Sequence, residues 1–320
     1  MIARDPQDIT AAVLAEAART PDARWREILI AAVKHLHGFV RDARLTEAEF
    51  QRLCGAIARA GQLTTASHNE VVLAAGSLGV SALVCMLDNG AATTANLLGP
   101  FWRENAPRCA NGDSIVRSPT PGLPVFVEAW VHDSEGRPVE GAEVDVWQAS
   151  PEGFYENQDP AQAEMNLRGR FVTDAEGCIA LRSVKPLGYP IPVNGPVGDL
   201  LRAQGRHNMR PAHIHFLIAK PGFKTQFAQV YSSDDPHLHT DVQFAVTQAL
   251  VGDYVLHDDA PAPAADVAGP WYSLTHRFVV ERGESRLPRA PISGKAEGPR
   301  PQPEQLRRRE DPPARRARRR

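Results

Sequence analysis

The chain has four cysteines, Cys54, Cys85, Cys109 and Cys178, and no two of them form a Cys-x-x-Cys pair. Neither a zinc knuckle nor a disulfide framework is spelled out. Glycine-rich phosphate loops are absent as well, which removes the usual fingerprints of nucleotide and dinucleotide binding. Long apolar runs are scarce. The one uncharged stretch, Val71 to Leu87, is short of the ~20 residues a membrane span needs and is interrupted by Gly76, Ser77, Gly79 and Ser81, so it reads as a buried helix. The opening residues MIARDPQDIT lack the basic-then-apolar layout of a signal peptide, and a reducing cytoplasm is the expected compartment.

At 320 residues, with 42% hydrophobic and 23% charged residues, the composition is that of a globular protein with enough chain for a substantial core. The formal net charge of -2 hides an asymmetry: residues 286–320 carry 12 Lys/Arg against four acids, leaving 24 basic and 34 acidic residues in the body. A basic tail can mark nucleic-acid or anionic-membrane binding. This one is rich in proline and free of aromatics, and such a segment buries too little surface to order itself. It reads as a disordered Pro/Arg-rich extension, and no nucleic-acid partner is expected.

The pattern predicts α+β architecture. In the first hundred residues Trp25, Ile28, Leu29, Val33, Leu36 and Val40 recur at helical steps on one face. Two capping boxes, Thr46 with Glu49 and Ser67 with Glu70, predict helix starts. From about Pro100 short β-rich runs take over: Pro124 to His132, Glu143 to Gln148, Gly169 to Thr173, Ala180 to Ser183, His213 to Ala219 and Phe278 to Glu281. Separated by Asp-Ser-Glu-Gly and Asp-Ala-Glu-Gly turns, they predict an antiparallel β-sandwich. The expected domains are 1–99, helical; 100–285, β-sandwich; and 286–320, tail.

The segment RPAHIHFLIA carries the chemistry. Two residues apart on a strand, His213 and His215 face one way, about 7 Å apart at the backbone, while Ile214, Phe216 and Ile218 face the other. Two imidazoles make half of a metal site or a pair of satisfied core histidines. A carboxylate just beyond the second histidine is missing, since Ile218 and Ala219 stand there. A third histidine could come from His237 or His239. Tyrosine is the other completion: Tyr155 in ASPEGFY and Tyr189 in KPLGYPIP lie upstream in turn-rich segments. A phenol, with pKa near 10, becomes a ligand only where a strongly acidic ion keeps it ionised, as Fe(III) does. The bland alternative for the whole constellation is a metal-free β-sandwich binding module built on DSEGRPVEGAEVDVW.

Several ordered segments carry a family resemblance: LLGPFWRENAP, DVWQASPEGFY, NLRGRF, YPIPVNGPVGDLLRAQGRHNMRPAHIHF and Phe223 to Tyr231. Together they resemble the intradiol ring-cleavage dioxygenases, non-haem Fe(III) enzymes that split catechols between the two hydroxyl-bearing carbons. The resemblance implies that Tyr155, Tyr189, His213 and His215 bind Fe(III), and that Tyr189 is the ligand that leaves when substrate binds. It further implies that Arg210 stabilises charge on the ring, that Gln229 orients the site, and that Leu73, Gly76, Leu97, Gly99, Pro100 and Phe101, with Arg210, surround the substrate. The implied reaction consumes O2 and opens the ring to a maleylacetate- or muconate-type product in aromatic compound degradation, without NADH, flavin or haem. The helical region is implied to form a homodimer and to hold a phospholipid at its interface. GPVGDLLRAQGRH is more like the hydroxyquinol (benzene-1,2,4-triol) branch than the catechol branch, and GPF at 99–101 agrees. Two positions depart from that branch: Gly76 stands where an acidic residue is usual, and Asn194 replaces an aspartate before Gly195. Hydroxyquinol, catechol and substituted catechols such as chlorocatechol therefore all remain open as substrates.

Overall fold

The computed structural model describes residues 2–88, 93–300 and 302–308. The chain divides into two compact units, Met1–Ala58 and Arg59–Arg320.

The N-terminal unit is helical. Helix α1 (Pro6–Ala17) starts where the Asp5 carboxylate accepts from the amides of Gln7 and Asp8, and Pro6, needing no amide partner, supplies the first turn. Helix α2 (Ala23–Ala43) is capped by Asp22 and stops at Arg44, whose φ of 51° is left-handed. Helix α3 (Glu47–Leu63) begins at the expected capping box: the Thr46 amide donates to Glu49 Oε2 at 2.9 Å, and the Glu49 amide donates back to Thr46 Oγ1.

The second expected box does not form. Asn69, not Ser67, caps α4 (Glu70–Ser77) by accepting from the Val72 amide. Glu70 is spent elsewhere, with Oε1 accepting from the Val197 amide and Oε2 lying 2.8 Å from His68 Nε2. The single buried helix expected over Val71 to Leu87 is also corrected: α4 gives way to α5 (Val80–Asp88) at a bend of 77°. Gly79, at φ +73°, makes the break. Several side chains there face outward, among them Val71, Leu83 and Val84. Among the described residues no single helix is long and apolar enough to cross a membrane, though this bent pair meets the length and composition together.

The remaining elements are β1 (Pro124–Asp133), β2 (Glu143–Trp147), β3 (Arg168–Val172), β4 (Cys178–Val184), β5 (Tyr189–Pro190), α6 (Pro196–Gln204), β6 (Met209–Arg210), β7 (His213–Ala219), β8 (Gln226–Ser232), β9 (Val251–Gly252), β10 (Val255–His257) and β11 (Trp271–Val280). One sheet runs β10-β11-β1-β4, a second runs β3-β2-β7-β8-β9, and β5 pairs with β6 alone. Val125, Val127, Ala129 and Val131 of β1 share a core with Val144, Val146, Ile214 and Phe216 of the other sheet, so two layers close on one apolar interior. The antiparallel expectation needs correction: β1 pairs with β11 in parallel, as does β8 with β9, and the sheets are mixed. β11 closes the sheet from about 140 residues downstream of β1, and no local pattern fixes its direction.

The compact division at Ala58 falls within α3, and beyond it α4 packs with α6, whose Val197 amide donates to Glu70. Residues 286–300 and 302–308 are not the loose extension expected from residue 286. Ile292 is 2% exposed, the Ser293 and Gly294 amides donate to Ala66 O, and Asn208 bonds Glu304 O and the Leu306 amide. One apolar anchor and a row of backbone bonds order a segment whose composition alone argues against it. Residues 309–320 lie outside the described residues.

Candidate functional site

Strand β7 puts its two faces to different uses. Ile214, Phe216 and Ile218 enter the sandwich core. His213 and His215 point to the opposite face, where β2 and β8 flank them: Trp147 and Gln229 lie opposite His215, and Tyr231 lies opposite His213. Tyr155 arrives from the turn after β2 and Tyr189 from β5.

These four side chains meet. Tyr155 Oη is 2.8 Å from Tyr189 Oη, 2.7 Å from His215 Nε2 and 3.5 Å from His213 Nε2, and the two Nε2 atoms are 3.1 Å apart. All four residues are buried. His213 Nδ1 lies 2.7 Å from Pro211 O. A carbonyl can only accept, so Nδ1 carries the hydrogen and the neutral ring turns its Nε2 lone pair into the cluster. Among the described residues His215 Nδ1 has no partner, and the Trp147 ring stacks on the imidazole at 4.5 Å and 11°. Phe101 stacks on Tyr155 at 4.7 Å.

Burial sets the protonation states. It pushes the His213 pKa down to about 3, with Arg210 adding to the effect, and drives His215 well below its ordinary value, with His213 adding. Both rings are therefore neutral. Burial also raises the phenol pKa of Tyr155, reinforced by Tyr189, and that of Tyr189, against the opposing pull of Arg210. Two lone-pair nitrogens and two phenol oxygens then crowd one point with no cation of their own. This donor set fits a hard trivalent ion, which takes imidazole and phenolate together and ionises the phenols as it binds. Among the described residues no group of three or more His, Cys, Asp or Glu could hold a metal, so a third-histidine site with His237 or His239 is not formed.

A buried ion pair stands beside the cluster. Arg210 donates through Nε and Nη2 to the two carboxylate oxygens of Asp241, each at 3.0 Å, and through Nη2 to Tyr231 Oη at 2.9 Å; its Nη1 is 3.5 Å from His213 Nε2. Burial would discharge the guanidinium, but Asp241 outweighs it and holds the charge. Gln229 donates to Leu97 O at 2.7 Å and accepts from Tyr231 Oη at 2.6 Å, joining the 97–101 loop to β8. Asp241, Tyr231 and Asn96, which donates to Tyr231, are site residues that the sequence reading missed. Tyr231 had a signal, lying two residues from Gln229 on the same strand face; Asp241 sits in a loop and had none.

Three of the other expected residues, Leu97, Gly99 and Pro100, line a cavity of about 770 Å³ together with Val72, Leu98, Gln243 and Arg289 to Ser293. Gly99 has φ +77°, and a Cβ there would stand 3.4 Å from His215 Cε1, so the loop backbone passes close against the imidazole. Leu73 is buried in the same apolar cluster as Phe101, Tyr155 and Tyr189. Gly76 is packed so closely that a Cβ would fall 1.7 Å from Gln243 Oε1. Asn194, the other departure, lines a separate cavity with Pro190 and Pro192.

Family profiles match on both parts of the chain: "Catechol dioxygenase N terminus" over residues 22–96 and "Dioxygenase" over residues 97–272. The chain belongs to the intradiol ring-cleavage dioxygenase family. It is 38% identical over 258 residues to a 6-chlorohydroxyquinol 1,2-dioxygenase of Cupriavidus pinatubonensis, covering 80% of this chain and 93% of that protein. It is 37% identical to a hydroxyquinol 1,2-dioxygenase of a Rhizobium species, covering 84% and 93%. Among solved structures, the hydroxyquinol 1,2-dioxygenase of Pseudomonas putida DLL-E4 superposes with a TM-score of 0.76 at 36% identity, covering 87% of this chain and 99% of that one. Catechol 1,2-dioxygenase of Pseudomonas arvilla C-1 gives 0.73 at 30% identity, covering 92% and 96%.

Proposed function

We propose that this dioxygenase uses a non-haem Fe(III) held by Tyr155, Tyr189, His213 and His215 to cleave hydroxyquinol, or a closely related catechol, between its adjacent hydroxyl-bearing carbons. The observation that carries the reading is the mutual approach of the four donor atoms, two oxygens and two nitrogens within 2.7–3.5 Å contacts, with no carboxylate among them. A metal-free binding module gives no reason to bury two neutral imidazoles with facing nitrogens against two phenols. Similarity to hydroxyquinol enzymes favours the triol over plain catechol.

When bound, Fe(III) supplies Lewis acidity that keeps phenolate ligands ionised and acidifies a diol hydroxyl. Tyr155 and the two histidines are held by stacking and by the Pro211 carbonyl, which suits permanent ligands. Tyr189 is the residue suited to move: its oxygen can take a proton from the incoming diol and retain it at Oη, so no other strong base is required. Arg210, pinned by Asp241, presents fixed positive charge to the ring and stabilises negative charge that develops there. Gln229 and Tyr231 position Arg210 and the loop carbonyl of Leu97. The apolar walls around Leu73 and Phe101 exclude water.

The assembly belongs to the same reading. The row Trp25, Leu29, Leu36 and Val40 on α2 is exposed in the single chain, and a homodimer joined through the helical region would cover it. A phospholipid at that interface is part of the proposal, and four unpaired thiols suit a reducing cytoplasm.

Oxygen uptake by iron-loaded protein with hydroxyquinol, catechol, 4-chlorocatechol and protocatechuate tests the reading. The expected order puts hydroxyquinol first. Equal or faster turnover of catechol removes the triol preference, and no uptake with any of them removes the proposed reaction.

A further inference from the structure

Tyr189 has a weaker foundation in the sheets than the two histidines. His213 and His215 lie on β7, which is paired on both sides, whereas Tyr189 opens β5, a two-residue strand that pairs with β6 apart from both layers of the sandwich. Asn208, the residue before β6, backs this small pair. It is 0% exposed, and its carboxamide is engaged on every side: Nδ2 donates to Ile191 O at 2.7 Å and to Glu304 O at 2.9 Å, and Oδ1 accepts from the Leu306 amide at 2.8 Å. Carbonyls can only accept, so the carboxamide has one orientation. The Asn208 carbonyl also accepts from the Ile191 amide at 2.8 Å. Glu304 and Leu306 therefore bracket the carboxamide as an adjacent strand brackets a peptide group. One side chain splices the C-terminal segment onto the backbone two residues after Tyr189. The same segment is anchored beyond the splice. Leu306 and Ile292 pack on the cluster that contains Tyr155, Tyr189 and Ile191. The Ala296 amide donates at 2.7 Å to Asn157 O, two residues after Tyr155, and Arg300 pairs with Asp159 at 2.9 Å.

We infer that Asn208 is a positioning residue for Tyr189: by tying β5 and β6 to Glu304 and Leu306 it holds the phenol in the cluster, 2.8 Å from Tyr155 Oη, and sets how readily an incoming diol displaces it. This rests on the reaction proposed above, in which Tyr189 is the ligand that gives way. The apparent affinity of a diol that must displace Tyr189 is its intrinsic affinity reduced by the cost of unseating the phenol. A tie that favours the seated phenol therefore weakens diol binding, and cutting the tie strengthens it. General damage to the site does the reverse. Arg210, opposite Tyr189 in the β5–β6 pair, keeps its own hold through Asp241 when the tie is cut.

Two readouts on the iron-loaded protein test this: resonance Raman spectra of the resting form, and anaerobic titration with catechol followed through the visible absorption. Asn208→Ala removes the tie. The phenolate modes assigned to Tyr189 by their loss in Tyr189→Phe should weaken while those of Tyr155 hold, and catechol affinity should rise about 3- to 10-fold, the net range of one hydrogen bond. Leu306→Pro deletes the amide that donates to Asn208 Oδ1, leaves the Asn208 side chain in place, and should move both readouts the same way. The double variant should gain no more than Asn208→Ala alone, since both cut one connection. If Asn208→Ala does not fold, Leu306→Pro carries the comparison. Tyr189 modes of undiminished strength, a catechol affinity that is unchanged or lower, or a further gain in the double variant overturns the assignment. Wild-type protein that shows no tyrosinate modes or binds no diol removes the proposed reaction itself. Wild-type protein that shows both sets of modes and binds catechol, with variants that match it, removes this inference alone.

Discussion

In the sheet-bearing unit Tyr155, Tyr189, His213 and His215 are between 1% and 4% exposed, whereas in the N-terminal unit Trp25, Leu36 and Phe39 are 60%, 62% and 50% exposed. The first group is polar or ionisable and hidden; the second is apolar and open. Burying a polar side chain costs free energy unless something repays it, and exposing an apolar row on a helix forgoes free energy unless something covers it. On the proposed function, an ion completes the first group and a second copy of the chain covers the other.

Removing a ligand breaks the first half of that comparison and should have the largest effect. His213→Ala leaves three donors, and metal affinity should fall by more than the ~10- to 100-fold that loss of an outer hydrogen-bond partner costs; iron content after dialysis reads the loss. Asp241→Ala comes next. It strands the Arg210 guanidinium in a buried site, and breaking a buried pair costs about 3–5 kcal/mol, to be read in denaturant unfolding of the apoprotein. An Asp241→Ala variant as stable as the wild type would show that water, not the carboxylate, satisfies Arg210.

Deleting residues 286–320 sharpens the boundary of the buried half. It withdraws Ile292 from the cluster containing Tyr155 and Tyr189, and should cost about 1.5–3 kcal/mol for that side chain. An unchanged melting temperature would mean the segment contributes nothing to that unit. The smallest effect on chain stability belongs to the open half: Leu36→Asp on α2 should alter unfolding by under ~0.5 kcal/mol per chain while shifting sedimentation from dimer to monomer. A variant that still sediments as a dimer places the interface elsewhere.

The two regions also differ in how much of them could be read from residue order. Strand β7 was legible because His213 and His215 alternate with Ile214, Phe216 and Ile218, a period that local sterics impose. Thr46 with Glu49 was legible for the same reason: capping is local. Asp241 was not, because its partner Arg210 lies 31 residues away and nothing in DDPHLHTD distinguishes it from the other acids there. The parallel pairing of β1 with β11 and the docking of Ile292 depend on contacts made across the fold. Ser67 and Glu70 matched a capping pattern, yet Glu70 was drawn away by the amide of Val197, a competitor 127 residues distant. The Gly76 departure was visible, but the Gln243 carboxamide that fills the space beside it was not.

The central claim is that two phenol oxygens and two imidazole nitrogens share a single ferric ion. Resonance Raman spectroscopy of the iron-loaded protein, excited in its visible band, tests it most directly. The account predicts phenolate ring modes from two tyrosines, one set lost in Tyr155→Phe and the other in Tyr189→Phe. Iron bound without tyrosinate modes, or modes that persist unchanged in both variants, would contradict it.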